Sequence, residues 1–183
     1  MKKGVPMKHF ALIAIAAVLV LTACQSHQNN QASFKHLAVN EFDANRYMGK
    51  WYEVARFDFR WQKNLKNVTA NYTMQSDNTI KVDNQGTDIT SLERKQSIGK
   101  AKFNGDPNRG ALKVAFFGPF YSEYNVVKID PDYRYAMVFG KNTDYVWLLS
   151  RDKTMPEDVK RNYLDLAQRS GYDLSRLVWT QQD

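Results

Sequence analysis

The side chains best suited to catalysis or metal binding crowd into one end of this chain. Its three histidines are His9, His27 and His36, and its single cysteine is Cys24, so residues 37–183 contain neither type. That excludes Ser-His-Asp and Cys-His nucleophilic catalysis from most of the sequence. It also excludes a zinc site built from histidine or cysteine there. One cysteine allows no intrachain disulfide. Chemistry elsewhere is left to carboxylates, lysines and tyrosines, and no motif among them announces a catalyst. No metal and no cofactor is expected.

Cys24 has a telling context. Lys2, Lys3 and Lys8 form a positive start, and Phe10 to Leu21 is an uninterrupted apolar run. The run is about half of the roughly 20 residues a membrane-spanning helix needs, and it fits a secretory signal instead. Leu21-Thr22-Ala23-Cys24 follows at once and resembles the bacterial lipobox. That resemblance implies acylation of the Cys24 thiol, cleavage before Cys24 and acylation of the new amine. Each buried methylene contributes roughly 0.8 kcal/mol, so several acyl chains anchor stably where one does not. Gln25 follows the cysteine rather than Asp, which by resemblance to enteric sorting rules implies the outer membrane. Residues 25–33 are polar and uncharged and read as a tether. The expected division is a lipoprotein signal over 1–23, lipidated Cys24 with its tether to residue 39, and one domain over 40–183.

The composition agrees with one folded domain. The chain has 183 residues, 43% hydrophobic and 13% aromatic, enough to bury a core. The net charge is +7, but three of those charges belong to the signal. The remainder is too small an excess to argue for nucleic acid.

From about residue 49 to 151 apolar and polar residues alternate, broken by turn clusters. The pattern predicts strands over Lys50–Phe57, Val68–Gln75, Thr79–Gly86, Arg94–Phe103, Ala111–Phe116, Tyr121–Ile129, Arg134–Gly140 and Tyr145–Arg151. Short links between eight strands suit an antiparallel up-and-down barrel, which removes exposed edges and can hold one small ligand. A helix is expected from Pro156, with Gly171 just past its end. Val159, Tyr163, Leu166 and Ala167 form its apolar stripe, which should pack on the barrel wall. Leu174–Thr180 is expected as a last short strand.

Three motifs in order then carry a family resemblance. Gly49-Lys50-Trp51-Tyr52-Glu53, after Phe42-Asp43 and Arg46-Tyr47, resembles the opening G-x-W motif of the lipocalins. Asp130-Pro131-Asp132-Tyr133 resembles their second motif, and Ser150-Arg151 their third. The likeness runs from about Asn40 to Gln181, and with the lipobox it is that of a bacterial outer-membrane lipocalin. The second motif lacks its usual Thr and contains Pro131, leaving its register open by about one residue. A meander places the start of the first strand, the sixth-to-seventh turn and the end of the eighth at one end. Gly49, Trp51, Asp132 and Arg151 should therefore gather there as a structural plug, with the Arg151 guanidinium stacked on Trp51.

Alternation fixes the lining once one residue per strand points inward. From Trp51 it gives Glu53, Ala55 and Phe57, and from Arg151 it gives Tyr145, Trp147 and Leu149. The lipocalin resemblance implies Ala70, Tyr72, Val82, Asn84, Val114, Phe116, Tyr124, Val126, Ala136 and Val138 on the same inner face. The set mixes large aromatics with alanines, which suits a cavity better than a filled core. The mouth should carry Arg60, Trp61, Phe120 and Lys141, so aromatics and cations share one rim.

An apolar tunnel under such a rim suits a fatty acid or lysophospholipid, bound for transport, storage or envelope maintenance. The partners expected are this lipid and a membrane, on the periplasmic face, with the protein a monomer or weak homodimer. The alternative is a lipocalin-fold enzyme acting on a bound lipid or isoprenoid. Glu53 would then be the reactive group, because a carboxylate in an apolar cavity can have a raised pKa. Against that stands a glutamate simply paired with Lys, Arg or Tyr.

Overall fold

A computed structural model describes residues 33–183. The expected signal, Cys24 and most of the tether lie outside the described residues.

Eight strands follow one another with short links: β1 (Gly49–Phe57), β2 (Leu65–Met74), β3 (Ile80–Asp88), β4 (Arg94–Phe103), β5 (Ala111–Ala115), β6 (Ser122–Ile129), β7 (Tyr135–Phe139) and β8 (Val146–Ser150). Each pairs antiparallel with its neighbour, β8 returns to β1, and β1 pairs with β2, so the barrel is closed. The predicted strands are all present, within three residues at each end. A helical turn, α1 (Ala44–Tyr47), is capped by the Asp43 carboxylate and leads into β1. Gly49 makes that entry at φ +89°, and a Cβ there would lie 3.4 Å from Arg151 Nη1.

The long helix α2 (Glu157–Arg169) starts just after Pro156, which precedes the first helical residue rather than occupying it. Tyr163 and Ala167 bury its apolar stripe against Met137, Phe139 and Leu148 on the outer face of β7 and β8. Residues 174–176 form one 3-10 turn, and only Leu177–Trp179 are strand, β9. Two cores result, one between wall and helix and one inside the barrel.

Strand β1 does not alternate throughout. Glu53 pairs with Leu149, but Ala55 pairs with Leu148, so a bulge at Val54 inserts an extra residue. Val54 and Ala55 both face the helix, as does Phe57, within the outer core. Ala55 and Phe57 are therefore not cavity residues, and Arg56 takes the inward position opposite Trp147. Beyond the bulge β1 leaves β2, and β9 pairs with Ala55, Arg56 and Phe57 instead. The residues after β9 fill the gap. Thr180 N–H bonds to the Val54 carbonyl at 2.9 Å, and Asn67 N–H to the Gln181 carbonyl at 2.8 Å. The Gln182 amide bridges the carbonyls of Glu53 and Val68, each at 2.9 Å.

Candidate ligand-binding cavity

One end of the barrel is sealed. Trp51 is fully buried, and the Arg151 guanidinium lies 3.9 Å from its ring centroid. The same guanidinium bonds to the carbonyls of Arg46 at 2.7 Å, Lys50 at 2.8 Å and Tyr133 at 3.2 Å. It thus ties α1, β1 and the β6–β7 turn to the end of β8. Burial lowers the Arg151 pKa, opposed by the phenols of Tyr47 and Tyr72. Asp132 is not part of this plug. It is exposed, and the turn is held by Asp130, whose carboxylate accepts from the N–H groups of Arg134 at 2.7 Å and Tyr135 at 2.6 Å. The open register of the second motif thus resolves toward Asp130, with Tyr133 buried and its hydroxyl accepting from Asp43 N–H at 2.7 Å.

Above the plug lies a cavity of about 600 Å³, a size typical of small-molecule sites. Glu53, Ala70, Tyr72, Val82, Asn84, Val114, Phe116, Tyr124, Tyr145, Trp147 and Leu149 line it. Val126 and Val138 also point inward but are fully buried in the barrel core and do not reach the cavity wall. Arg60, Trp61 and Phe120 stand at the mouth. Lys141 does not line the cavity; it sits outside, with Nζ 5.7 Å from the Tyr145 ring centroid. The rim aromatics are open to solvent, with Trp61 63%, Phe117 61% and Phe120 81% exposed. Trp61 and Phe117 lie 5.3 Å apart between centroids, and the Arg60 guanidinium is 4.8 Å from the Trp61 ring.

Glu53 and Arg56 form a buried ion pair at 2.8 Å, both nearly sealed from solvent. Glu53 Oε1 also accepts from Thr180 Oγ1 at 2.6 Å, and Oε2 from Gln62 Nε2 at 3.0 Å. Arg56 donates further to Asp58 at 3.0 Å and the Gln62 carbonyl at 2.9 Å. Every oxygen and nitrogen of the pair is engaged, as a buried pair requires. The Gln62 side chain closes the circuit by accepting from Trp147 Nε1 at 2.9 Å. The β1–β2 loop is thereby fastened to the neighbouring strands β1 and β8. Nothing in the sequence around Gln62 marks it for this role.

The floor carries three phenols. Tyr124 Oη lies 2.7 Å from Tyr47 Oη and 2.7 Å from Tyr72 Oη. Burial pushes the Tyr72 phenol up to about 12, and lifts Tyr47 and Tyr124 well above the ordinary value. All three are neutral at physiological pH. Tyr47 was visible only as a neighbour of the opening motif. Its spacing of four before Trp51 is the signal that joins it to the plug: Trp51 Nε1 bonds to the Tyr47 carbonyl at 2.8 Å, with the rings 5.0 Å apart.

A closed eight-stranded barrel, sealed at one end by an arginine on a tryptophan and open at the other to a lined cavity, is a calyx. The Lipocalin-like domain family matches residues 42–182, and the chain belongs to that family. It is 45% identical over 177 residues to the outer membrane lipoprotein Blc of Escherichia coli, covering 96% of this chain and 98% of that one. It is 43% identical to outer membrane lipoprotein Blc of Vibrio cholerae, covering 79% and 85%. Among solved structures, insecticyanin from the tobacco hornworm Manduca sexta superposes with a TM-score of 0.64 at 19% identity, covering 79% and 82%. Lobster apocrustacyanin A1 does so at 0.64 and 19%, covering 77% and 80%. The last two bear on the fold alone.

Proposed function

We propose that this chain is a membrane-anchored lipocalin that carries a fatty acid or lysophospholipid in its barrel, for lipid transport, storage or envelope maintenance. One observation carries the reading: a cavity of about 600 Å³, walled mainly by apolar and aromatic side chains, opens at a rim of aromatics and cations. An acyl chain gains burial in such a tunnel while its head stays hydrated at the rim. The commitment of Glu53 to structural partners, with Arg56 and Thr180 on Oε1 and Gln62 on Oε2, favours binding over catalysis.

A long-chain fatty acid added to delipidated protein should quench or enhance Trp147 fluorescence saturably. Each added methylene should strengthen binding by up to roughly 0.8 kcal/mol until the cavity is full, after which longer chains gain nothing. Trp147→Phe should remove most of the signal, with binding followed by calorimetry. Affinity independent of chain length would mean that the interior does not take the chain.

The acyl anchor on Cys24 and a periplasmic-facing outer-membrane location belong to the same proposal. The relatives named outer membrane lipoprotein support it. Cys24→Ser should shift the protein out of the outer-membrane fraction or leave an uncleaved precursor. A mature Cys24→Ser protein that still sediments with that membrane would overturn the anchor.

A further inference from the structure

Large apolar side chains standing singly in water are common, but here they gather at one end of the barrel. Eight are exposed among the described residues. Six of them, Trp61, Ile89, Leu92, Phe117, Phe120 and Tyr121, lie on the β1–β2, β3–β4 and β5–β6 links. In a meander those links share the end opposite the Trp51–Arg151 plug, so the six surround the mouth. The other two, Ile98 and Trp179, lie on strands β4 and β9, and the links at the plug end carry none.

Leu92 runs against local preference. It is 70% exposed and held at φ +60°, a backbone conformation that suits asparagine or glycine far better than a bulky residue. Ile89, Leu92 and Tyr121 do not line the cavity, so packing against a bound ligand does not account for them either. Cations share the rim. Arg60, Lys63 and Lys141 make no ion pair among the described residues, whereas Asp58 is paired with Arg56, Glu93 with Lys95 and Asp144 with Arg176. The Asp88 carboxylate accepts from the N–H groups of Thr90 and Ser91.

The chain also enters the barrel at this end. The Ser33 hydroxyl donates to Glu123 at 2.7 Å, and Glu123 lines the cavity three residues after Phe120. Cys24 lies nine residues before Ser33, at most about 30 Å of extended chain. The longer strands, of eight to ten residues and tilted about 40°, make a wall roughly 20–25 Å high. An anchor at Cys24 therefore reaches a membrane at the mouth with slack, and one at the plug end only near full stretch.

We propose that the mouth rim is a membrane-docking surface. Its apolar side chains enter the interface of the phospholipid bilayer that holds the acyl anchor, and Arg60, Lys63 and Lys141 meet the headgroup phosphates. The inference rests on the anchored-carrier reading and deepens it: lipid passes between bilayer and cavity without crossing water.

The test uses the acylated protein in vesicles of phosphatidylethanolamine and phosphatidylglycerol. Cys24 is the only cysteine and its thiol is blocked by acylation, so an introduced cysteine alone takes a fluorophore. Leu92→Cys places an environment-sensitive label at the rim, and Asp132→Cys places it on an exposed residue at the plug end. With bromine on the lipid acyl chains, the label at 92 should lose about half or more of its emission, and the label at 132 should lose none. Adding Ile89→Ser and Phe117→Ser should cut the quenching at 92 severalfold. Protein that floats with the vesicles and binds palmitic acid, but shows no quenching at 92 or more at 132, overturns the docking and leaves the carrier reading intact. A blue-shifted label at 92 that bromine does not quench also overturns it, with a second copy of the chain covering the rim. Quenching at 92 in protein that binds no palmitic acid supports the docking and overturns the carrier reading. Protein that neither floats with the vesicles nor binds palmitic acid overturns both.

Discussion

Trp51→Ala is expected to destabilise the protein by about 3–5 kcal/mol, the range for removing a large aromatic from a core. The ring is completely buried, so most of the loss is burial and the cavity left behind. Two further contacts go with it: the bond from Nε1 to the Tyr47 carbonyl and the stack under Arg151. Arg151→Ala removes the same stack and frees three backbone carbonyls from three different segments. Urea unfolding of both single variants and the double variant should show coupling of roughly 0.5–2 kcal/mol, the size of a cation–π contact. Strict additivity would show that the guanidinium and the indole do not support one another.

Arg56→Met should cost a comparable amount, about 3–5 kcal/mol, for a different reason. It removes little volume but leaves Glu53 buried with no cation beside it. The double variant Arg56→Met, Glu53→Leu should recover much of the loss, because replacing both charges by apolar groups removes the uncompensated one. Gln62 loses its carboxylate acceptor in that double variant, so the β1–β2 loop should exchange amide hydrogens faster than in the wild type. A double variant less stable than Arg56→Met would show that the pair contributes net stability beyond mutual neutralisation.

The sequence made the plug legible and the middle of β1 illegible, and the reasons are local. Trp51 and Arg151 carry motifs at strand ends, where a meander's topology alone decides which ends meet. Alternation also held along β8, so Tyr145, Trp147 and Leu149 reach the cavity as parity requires. It failed at Val54, where nothing in Glu53-Val54-Ala55 marks an extra residue. From there Ala55 and Phe57 turn to the helix and Arg56 turns inward. A charged residue on such a strand reads as solvent-facing, and only the partners supplied by Glu53, Asp58, Gln62 and Thr180 make its burial tolerable. Val126 and Val138 point the expected way but sit too deep, because parity gives direction and not height. Asp132 and Asp130 share one turn, and the sequence held no sign of which carboxylate would fold back on the backbone.

The bulge at Val54 and the stretch that fills the gap beside it also set an order of events. The wall between β1 and β2 is completed by residues far along the chain: Gln182 spans 129 positions to Glu53 and 114 to Val68. Those residues follow all eight barrel strands and the helix in the chain. Closing loops of that length is entropically slow and cannot begin early. Without those residues β1 and β2 pair only as far as Tyr52 and Thr69, and Glu53 lacks its Thr180 partner. The wall beside the ion pair is therefore complete only once residues 180–182 have docked.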